Sequence, residues 1–197
     1  MKPFVPLTEL AQQAVGESLE PGALAIDATV GNGHDTLFLA GRVAPGGRVI
    51  GFDIQPRAIE GTRARLASAG LGSAATLKLC GHEHMLEQVP DAWSGKVSAV
   101  MFNLGYLPGG DKGLTTGAGT TLRALDQALS LLRGGGLISL LVYRAHEGAM
   151  VEADAVSAWV HRLDEGCRHT SHESPGPVLH LIERLATRGA TMPVRPN

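Results

Sequence analysis

The chain has 197 residues and a formal net charge of −2, which fits one domain with a substantial core and gives no overall basic footprint for non-specific nucleic-acid binding. No apolar run is long enough to span a membrane, and the N-terminus lacks the basic-then-apolar pattern of a signal peptide, so a cytoplasmic protein is expected. Two cysteines, Cys80 and Cys167, imply no disulfide framework.

In chain order, an amphipathic helix about Leu7 to Leu19 leads into a strand at 23–27 that ends on Asp27. A helix over 35–43 follows, with Leu37, Phe38, Ala40 and Val43 at helical spacing, then a strand at 48–53, a helix over 56–69 and a strand at 75–80. A short helix near 83–88, a strand at 97–102, a long loop and a helix over 119–132 come next. Gly134-Gly135-Gly136 reads as a helix stop before a strand at 137–143. A helix over 149–164 and strands near 168–173 and 178–184 close the pattern. Alternation of this kind predicts an α/β fold, a mostly parallel Rossmann-like sheet with helices on both faces. The last two strands, joined by Ser174-Pro175-Gly176-Pro177, are expected to form an antiparallel hairpin at one edge. No linker divides the chain, so residues 1–197 are expected as a single domain with 1–20 as its lead-in.

Between the first strand and its helix runs Asp27-Ala28-Thr29-Val30-Gly31-Asn32-Gly33-His34-Asp35-Thr36, an acid followed by Gly-Asn-Gly, the pattern of a nucleotide-cofactor loop. A dinucleotide fingerprint needs a third glycine where Thr36 stands and a helix N-terminus open to pyrophosphate, whereas Asp35 puts negative charge there. A phosphate-free, cationic cofactor fits better, and S-adenosylmethionine, with its sulfonium and ammonium groups, is such a molecule. The plainer alternative is a Gly-rich turn. Asp53 closes the second strand, roughly 20 residues past the glycines, where an acid accepts hydrogen bonds from ribose hydroxyls. Its alternative is to cap the helix that begins at Pro56. His82-Glu83-His84 is the only local hint of a metal site, and without further ligands it predicts none.

Asn103-Leu104-Gly105-Tyr106-Leu107-Pro108-Gly109-Gly110-Asp111-Lys112 follows the strand at 97–102. Asn103 and Tyr106 reproduce the Asn-x-x-Tyr spacing of the Asn-Pro-Pro-Tyr motif of amine-methylating enzymes. An asparagine carbonyl can accept hydrogens from a neutral amine and aim its lone pair, while an aromatic ring favours the cation that develops on nitrogen. A turn with an Asx cap and a core tyrosine is the alternative. After the fifth strand, Tyr143-Arg144-Ala145-His146-Glu147-Gly148 offers His146 either as acceptor of the substrate's proton or as part of a helix cap. Lys112, Arg123 and Arg144 are candidate phosphate contacts.

With these stretches together, the chain resembles the small rRNA methylase family of class I S-adenosylmethionine-dependent methyltransferases. The match lies in Asp27 to Leu37, Phe52-Asp53-Ile54-Gln55, Asn103 to Lys112, Thr120-Thr121-Leu122 and Val142 to Gly148. The resemblance implies a seven-stranded sheet, S-adenosylmethionine as cofactor and a tRNA substrate, because characterised members methylate the amine of 5-aminomethyl-2-thiouridine at the tRNA wobble position. It implies cofactor contacts from Asp27, Thr29, Gly31, Asn32, Gly33, His34, Asp35, Thr36, Asp53, Gln55, His82, Glu83 and Asn103. Catalytic roles fall to Asn103, Tyr106 and His146, and substrate contacts to Leu104, Gly105, Asp111, Lys112, Arg123 and Arg144. The chain departs from the family at Cys80-Gly81-His82-Glu83, where an Asp-Ser-His-Glu stretch is usual, and at 170–177, where an Asn-rich segment is common.

The expected function is therefore N-methylation of a modified tRNA nucleoside. A small-metabolite methyltransferase and a non-catalytic cofactor-binding protein remain as alternatives, the first motivated by the acidic net charge and the second by the missing acid at Cys80. A homodimer is expected, since a compact chain must grip a much larger RNA.

Overall fold

A computed structural model of the chain describes residues 5–105, 116–144 and 147–186. Among these residues seven strands, β1 (Leu24–Asp27), β2 (Arg48–Asp53), β3 (Ala75–Leu79), β4 (Val97–Leu104), β5 (Leu132–Val142), β6 (Cys167–Glu173) and β7 (Val178–Arg184), form one sheet in the order β3-β2-β1-β4-β5-β7-β6. β1 to β5 pair in parallel, whereas β7 runs antiparallel between β5 and the edge strand β6, which is the expected C-terminal hairpin.

Among the described residues six α-helices, α1 (Leu7–Ser18), α2 (His34–Val43), α3 (Pro56–Ser68), α4 (Met85–Gln88), α5 (Ala118–Leu131) and α6 (Glu147–Val160), cover the sheet. Side chains alternate across a strand, so a central strand buried on both faces must be apolar throughout. β4 shows this alternation: Val100 and Phe102 enter the core under α4, α5 and α6, while Ala99 and Met101 enter the core under α1, α2 and α3. By that parity Asn103 falls on the α1–α3 face. Asp27 shares it, following Ala25 by two residues.

Two local differences from the sequence expectation have physical causes. The strand 97–102 continues to Leu104, so Asn103 is a strand residue paired with Leu141 of β5 rather than part of a loop. Gly134-Gly135-Gly136 does not simply stop α5. Leu132 already pairs with Val97, the glycines bulge out, and pairing resumes at Ala99 with Leu137. A bulge of this kind needs residues without side chains: Gly135 has φ 74°, and a Cβ at Gly136 would lie 3.0 Å from the carbonyl oxygens of Arg133 and Val97.

Among the described residues, no helix is long and apolar enough to cross a membrane.

Candidate functional site

In open α/β sheets ligands bind outside the carboxyl ends of the strands, where the strand order reverses. Here that reversal lies between β1 and β4, and the predicted residues of the first loop gather at its rim. Gly33 occupies the N-cap of α2 with φ 77°, and its N–H donates to the Val30 carbonyl at 2.8 Å. A Cβ at Gly33 would collide with the side chain of Thr62 on α3. Close packing of the loop on a helix is thus assured by Gly33, while the third position of a dinucleotide fingerprint holds Thr36.

Asp27 is completely buried. Its carboxylate accepts the Thr36 hydroxyl at 2.5 Å and the Thr29 N–H at 3.1 Å. Burial, and next the negative charge of Asp35, push its carboxyl up to about 7. Asp35, half-buried in the first turn of α2, is pushed up as well, chiefly by burial, against the opposing effect of a hydrogen bond from Gln12 Nε2 at 2.8 Å. The lead-in helix α1 therefore reaches the site through Gln12, a contact that sequence reading did not supply.

Asp53 ends β2, and its carboxylate accepts the Gly31 N–H and the Gln55 N–H, each at 2.8 Å. It is not the cap of α3. Gln55 holds that position, with Pro56 in the first turn, so the capping alternative for Asp53 does not hold. A carboxylate has about four acceptor positions, and the two amides leave capacity for further donors. Asn32 and His34 are exposed, Gly31 and Gln55 half-buried, and Thr36 buried.

Across the crevice, the Asn103 N–H donates to the Thr29 hydroxyl oxygen at 2.7 Å, which ties the end of β4 to the loop after β1. Asn103 itself is half-buried. Leu104 is a core side chain, only 1% exposed, packed beneath α4, α5 and α6. Gly105 has φ 140°, open to glycine, and sits beside the Tyr143 ring, whose Cδ2 is 3.9 Å from where its Cβ would be.

His82 is buried edge-on to Phe102, and its Nδ1 lies 3.2 Å from the Ala28 carbonyl. Because a carbonyl only accepts, Nδ1 carries the proton; burial lowers the pKa and keeps the ring neutral. Glu83 is half-buried and folds over Gly81, while its carbonyl accepts Gln127 Nε2 at 2.7 Å. Among the described residues no group of three or more His, Cys, Asp or Glu side chains could hold a metal ion. Arg123 is exposed on α5, and Arg144, also exposed, faces Glu173 at 3.7 Å, so a phosphate there would compete with a carboxylate. Tyr106, Asp111, Lys112 and His146 lie outside the described residues.

Sequence reading also missed Glu152 on α6. This carboxylate, 3% exposed, accepts hydroxyls from Thr121 at 2.6 Å and Thr116 at 2.7 Å. Nothing in the local pattern of α6 signals it, because both partners are more than 30 residues away.

Comparison with known proteins agrees with this geometry. The family model described as Putative rRNA methylase matches residues 49–174. A relative from Arabidopsis thaliana named tRNA (mnm(5)s(2)U34)-methyltransferase, chloroplastic, is 43% identical in an alignment 162 residues long that covers 77% of this chain and 58% of that protein. The matched part of the chain thus spans little more than half the length of that relative. A solved structure of a putative rRNA-methylase from Clostridium thermocellum has a TM-score of 0.88 at 33% identity, covering 93% of this chain and 100% of that one. A putative methyltransferase from Streptococcus mutans, solved in complex with SAH, has a TM-score of 0.82 at 31% identity, again covering 93% and 100%.

Proposed function

Because the chain belongs to the rRNA methylase family, we propose that it is an S-adenosylmethionine-dependent N-methyltransferase whose acceptor is the aminomethyl group of a modified uridine at the tRNA wobble position. The observation that carries the cofactor reading is the cluster of Asp27, Asp35 and Asp53 around Gly31 and Gly33. Asp27 and Asp35 both have raised pKa values, as expected of a site electrostatically incomplete without a cation. A sulfonium and an ammonium group would complete it; a diphosphate would be repelled. SAH in the Streptococcus mutans structure supports the same class of ligand.

When bound, S-adenosylmethionine supplies an electrophilic methyl group, which leaves sulfur for the amine nitrogen while the amine loses a proton. The residues of this chain hold and orient. Asp53, fixed by two backbone amides, is placed to accept ribose hydroxyls, and Asp27 acts from beneath the loop by its charge and by fixing Thr36 and Thr29. Asn103 is assigned to the acceptor amine, Tyr106 to favouring the cation that develops on its nitrogen, and His146 to accepting its proton. Held geometry of this kind removes entropy that a solution reaction must supply.

The wobble amine is favoured because the Arabidopsis relative is named for that nucleoside at 43% identity. Lys112, Arg123 and Arg144 are the proposed phosphate contacts, a second copy of the chain is proposed to share the grip on RNA, and the setting is proposed to be cytoplasmic. The test is nucleoside analysis of tRNA, with and without the aminomethyl group, after incubation with the protein and methyl-labelled cofactor. Label on the aminomethyl-bearing nucleoside supports the reading; label only in ribosomal RNA or a small metabolite overturns the acceptor. Salt-insensitive or absent tRNA binding would favour the metabolite. Asn103→Ala is expected to abolish transfer while cofactor still binds, which separates an enzyme from a passive cofactor-binding protein.

A further inference from the structure

We infer that Glu152 is a positioning residue for the acceptor side of the site, acting through the Thr116 hydroxyl on the backbone of Gly105; its catalytic meaning rests on the proposed methyl transfer. The Gly105 N–H donates to Thr116 Oγ1 at 3.1 Å, and the Thr116 N–H returns to the Gly105 carbonyl at 3.3 Å. The Thr116 hydroxyl in turn donates to Glu152 Oε2 at 2.7 Å, while Oε1 takes the Thr121 hydroxyl at 2.6 Å.

The direction of these bonds matters. Both Glu152 oxygens accept threonine hydroxyls, so the single hydroxyl proton of Thr116 is committed to Glu152 and its oxygen is left to face the Gly105 N–H. A neutral partner able to donate would free that hydroxyl to turn. The two backbone amides that flank the exit of β4 are therefore held by two threonine hydroxyls: Asn103 by Thr29, and Gly105 by Thr116 under the control of Glu152.

Stability alone is a poor reason for this carboxylate. α5 and α6 pack through Leu125, Ala128, Val156 and Trp159, and a buried polar group among such residues costs desolvation that an apolar side chain avoids. Among the described residues no lysine or arginine pairs with Glu152. Its placement, one bond away from the group that holds Gly105, is what an apolar residue could not reproduce.

The test compares Thr116→Val, Thr116→Ser, Glu152→Gln and the Thr116→Val/Glu152→Gln double variant in the full chain. Three quantities are read: hydrogen exchange at the Gly105 amide, the single-turnover rate of methyl transfer, and cofactor affinity. Thr116→Val and Glu152→Gln should each speed exchange at Gly105 and slow transfer by about tenfold or more, with cofactor affinity within about twofold of the parent. Thr116→Ser should restore both, and the double variant should be no worse than the worse single one, because the two act as one unit. The inference is overturned if Thr116→Val leaves Gly105 exchange unchanged, or if the two single effects simply add. Because amide exchange needs no substrate, this result stands apart from the identity of the acceptor: a protein that methylates no tRNA would sink the proposed function and leave the Glu152 relay to be judged on exchange alone.

Discussion

The backbone N–H of Asn103 and the side-chain hydroxyl of Thr29 meet at 2.7 Å across 74 residues of sequence, so the end of β4 and the loop after β1 share one hydrogen bond. Thr29→Val removes the acceptor and leaves a half-buried donor unpaired, which costs at most about 1–3 kcal/mol of stability. The effect on chemistry should be larger than the effect on binding, because a displacement on the order of 1 Å at a reacting group can cost about a hundredfold in rate. Thr29→Ser keeps the hydroxyl and should restore the rate. Equal rates for the valine and serine variants, measured in single turnover, would remove this bond from the mechanism.

Asp27 gives the site a pH dependence with a definite sign. Its carboxyl stands at about 7 in the folded protein against an ordinary value of 3.8, so between those limits the folded state binds the extra proton and stability falls as pH rises. Above about 7 the full cost of the buried charge is present; below 3.8 both states are protonated and the contribution vanishes. A cationic ligand prefers the ionised form, so its affinity should climb with pH, approaching about tenfold per unit below 7, and level off above it. Calorimetric titration of S-adenosylmethionine across that range measures the slope. Asp27→Asn should flatten it, and Gln12→Ala, by removing the hydrogen bond that holds Asp35 down, should weaken affinity. A slope that survives in Asp27→Asn would assign the proton elsewhere.

Gly33 is needed for two separable reasons, its φ of 77° and the lack of room for a Cβ beside Thr62. Gly33→Ala should therefore cost more than the roughly 1 kcal/mol that a glycine conformation alone is worth. Adding Thr62→Ala should recover the steric part and leave the conformational part, an explicit non-additivity between neighbours. Denaturant midpoints of the two single variants and the double variant decide it; strict additivity would mean that the two side chains do not meet.

Much of this was legible in the chain itself. Apolar alternation and helix signals located β2 at its observed ends and the C-terminal hairpin, because both depend on neighbours in sequence. The acid-glycine loop, Asp53 and Asn103 stand out in the sequence through their spacing and through the family resemblance, and the structure joins them through Gly31 and Thr29. What escaped depends on distant packing. Gln12 finds Asp35 only because α1 lies across the strands beside α2, and Glu152 finds Thr116 and Thr121 only because α6 packs on α5. Gly134-Gly135-Gly136 looked like a stop because local propensity records what glycine breaks, whereas the pairing of Leu132 with Val97 beyond it is a tertiary fact.

The hairpin carries a second titration, opposite in sign to that of Asp27. His169 Nε2 and His180 Nδ1 lie 3.0 Å apart, a bond that needs one ring to donate and the other to accept, so doubly protonated rings cannot keep it. Burial, then the charges of His169, Arg144 and His161, lower His180 to about 4, and burial lowers His169 as well. An unfolded histidine near 6.5 binds its proton first, so the folded state loses stability as pH falls from about 6.5 toward 4 and regains it on the way back. Asp27 works the other way over nearly the same window, and the parent protein should show a shallow net dependence because the two contributions partly cancel. Single variants expose them: His180→Phe should remove most of the acid loss and leave stability falling with pH, whereas Asp27→Asn should leave stability rising with pH. Thermal midpoints measured from pH 4 to 8 separate the cases, and parallel curves for the two variants would refute the assignment of either group.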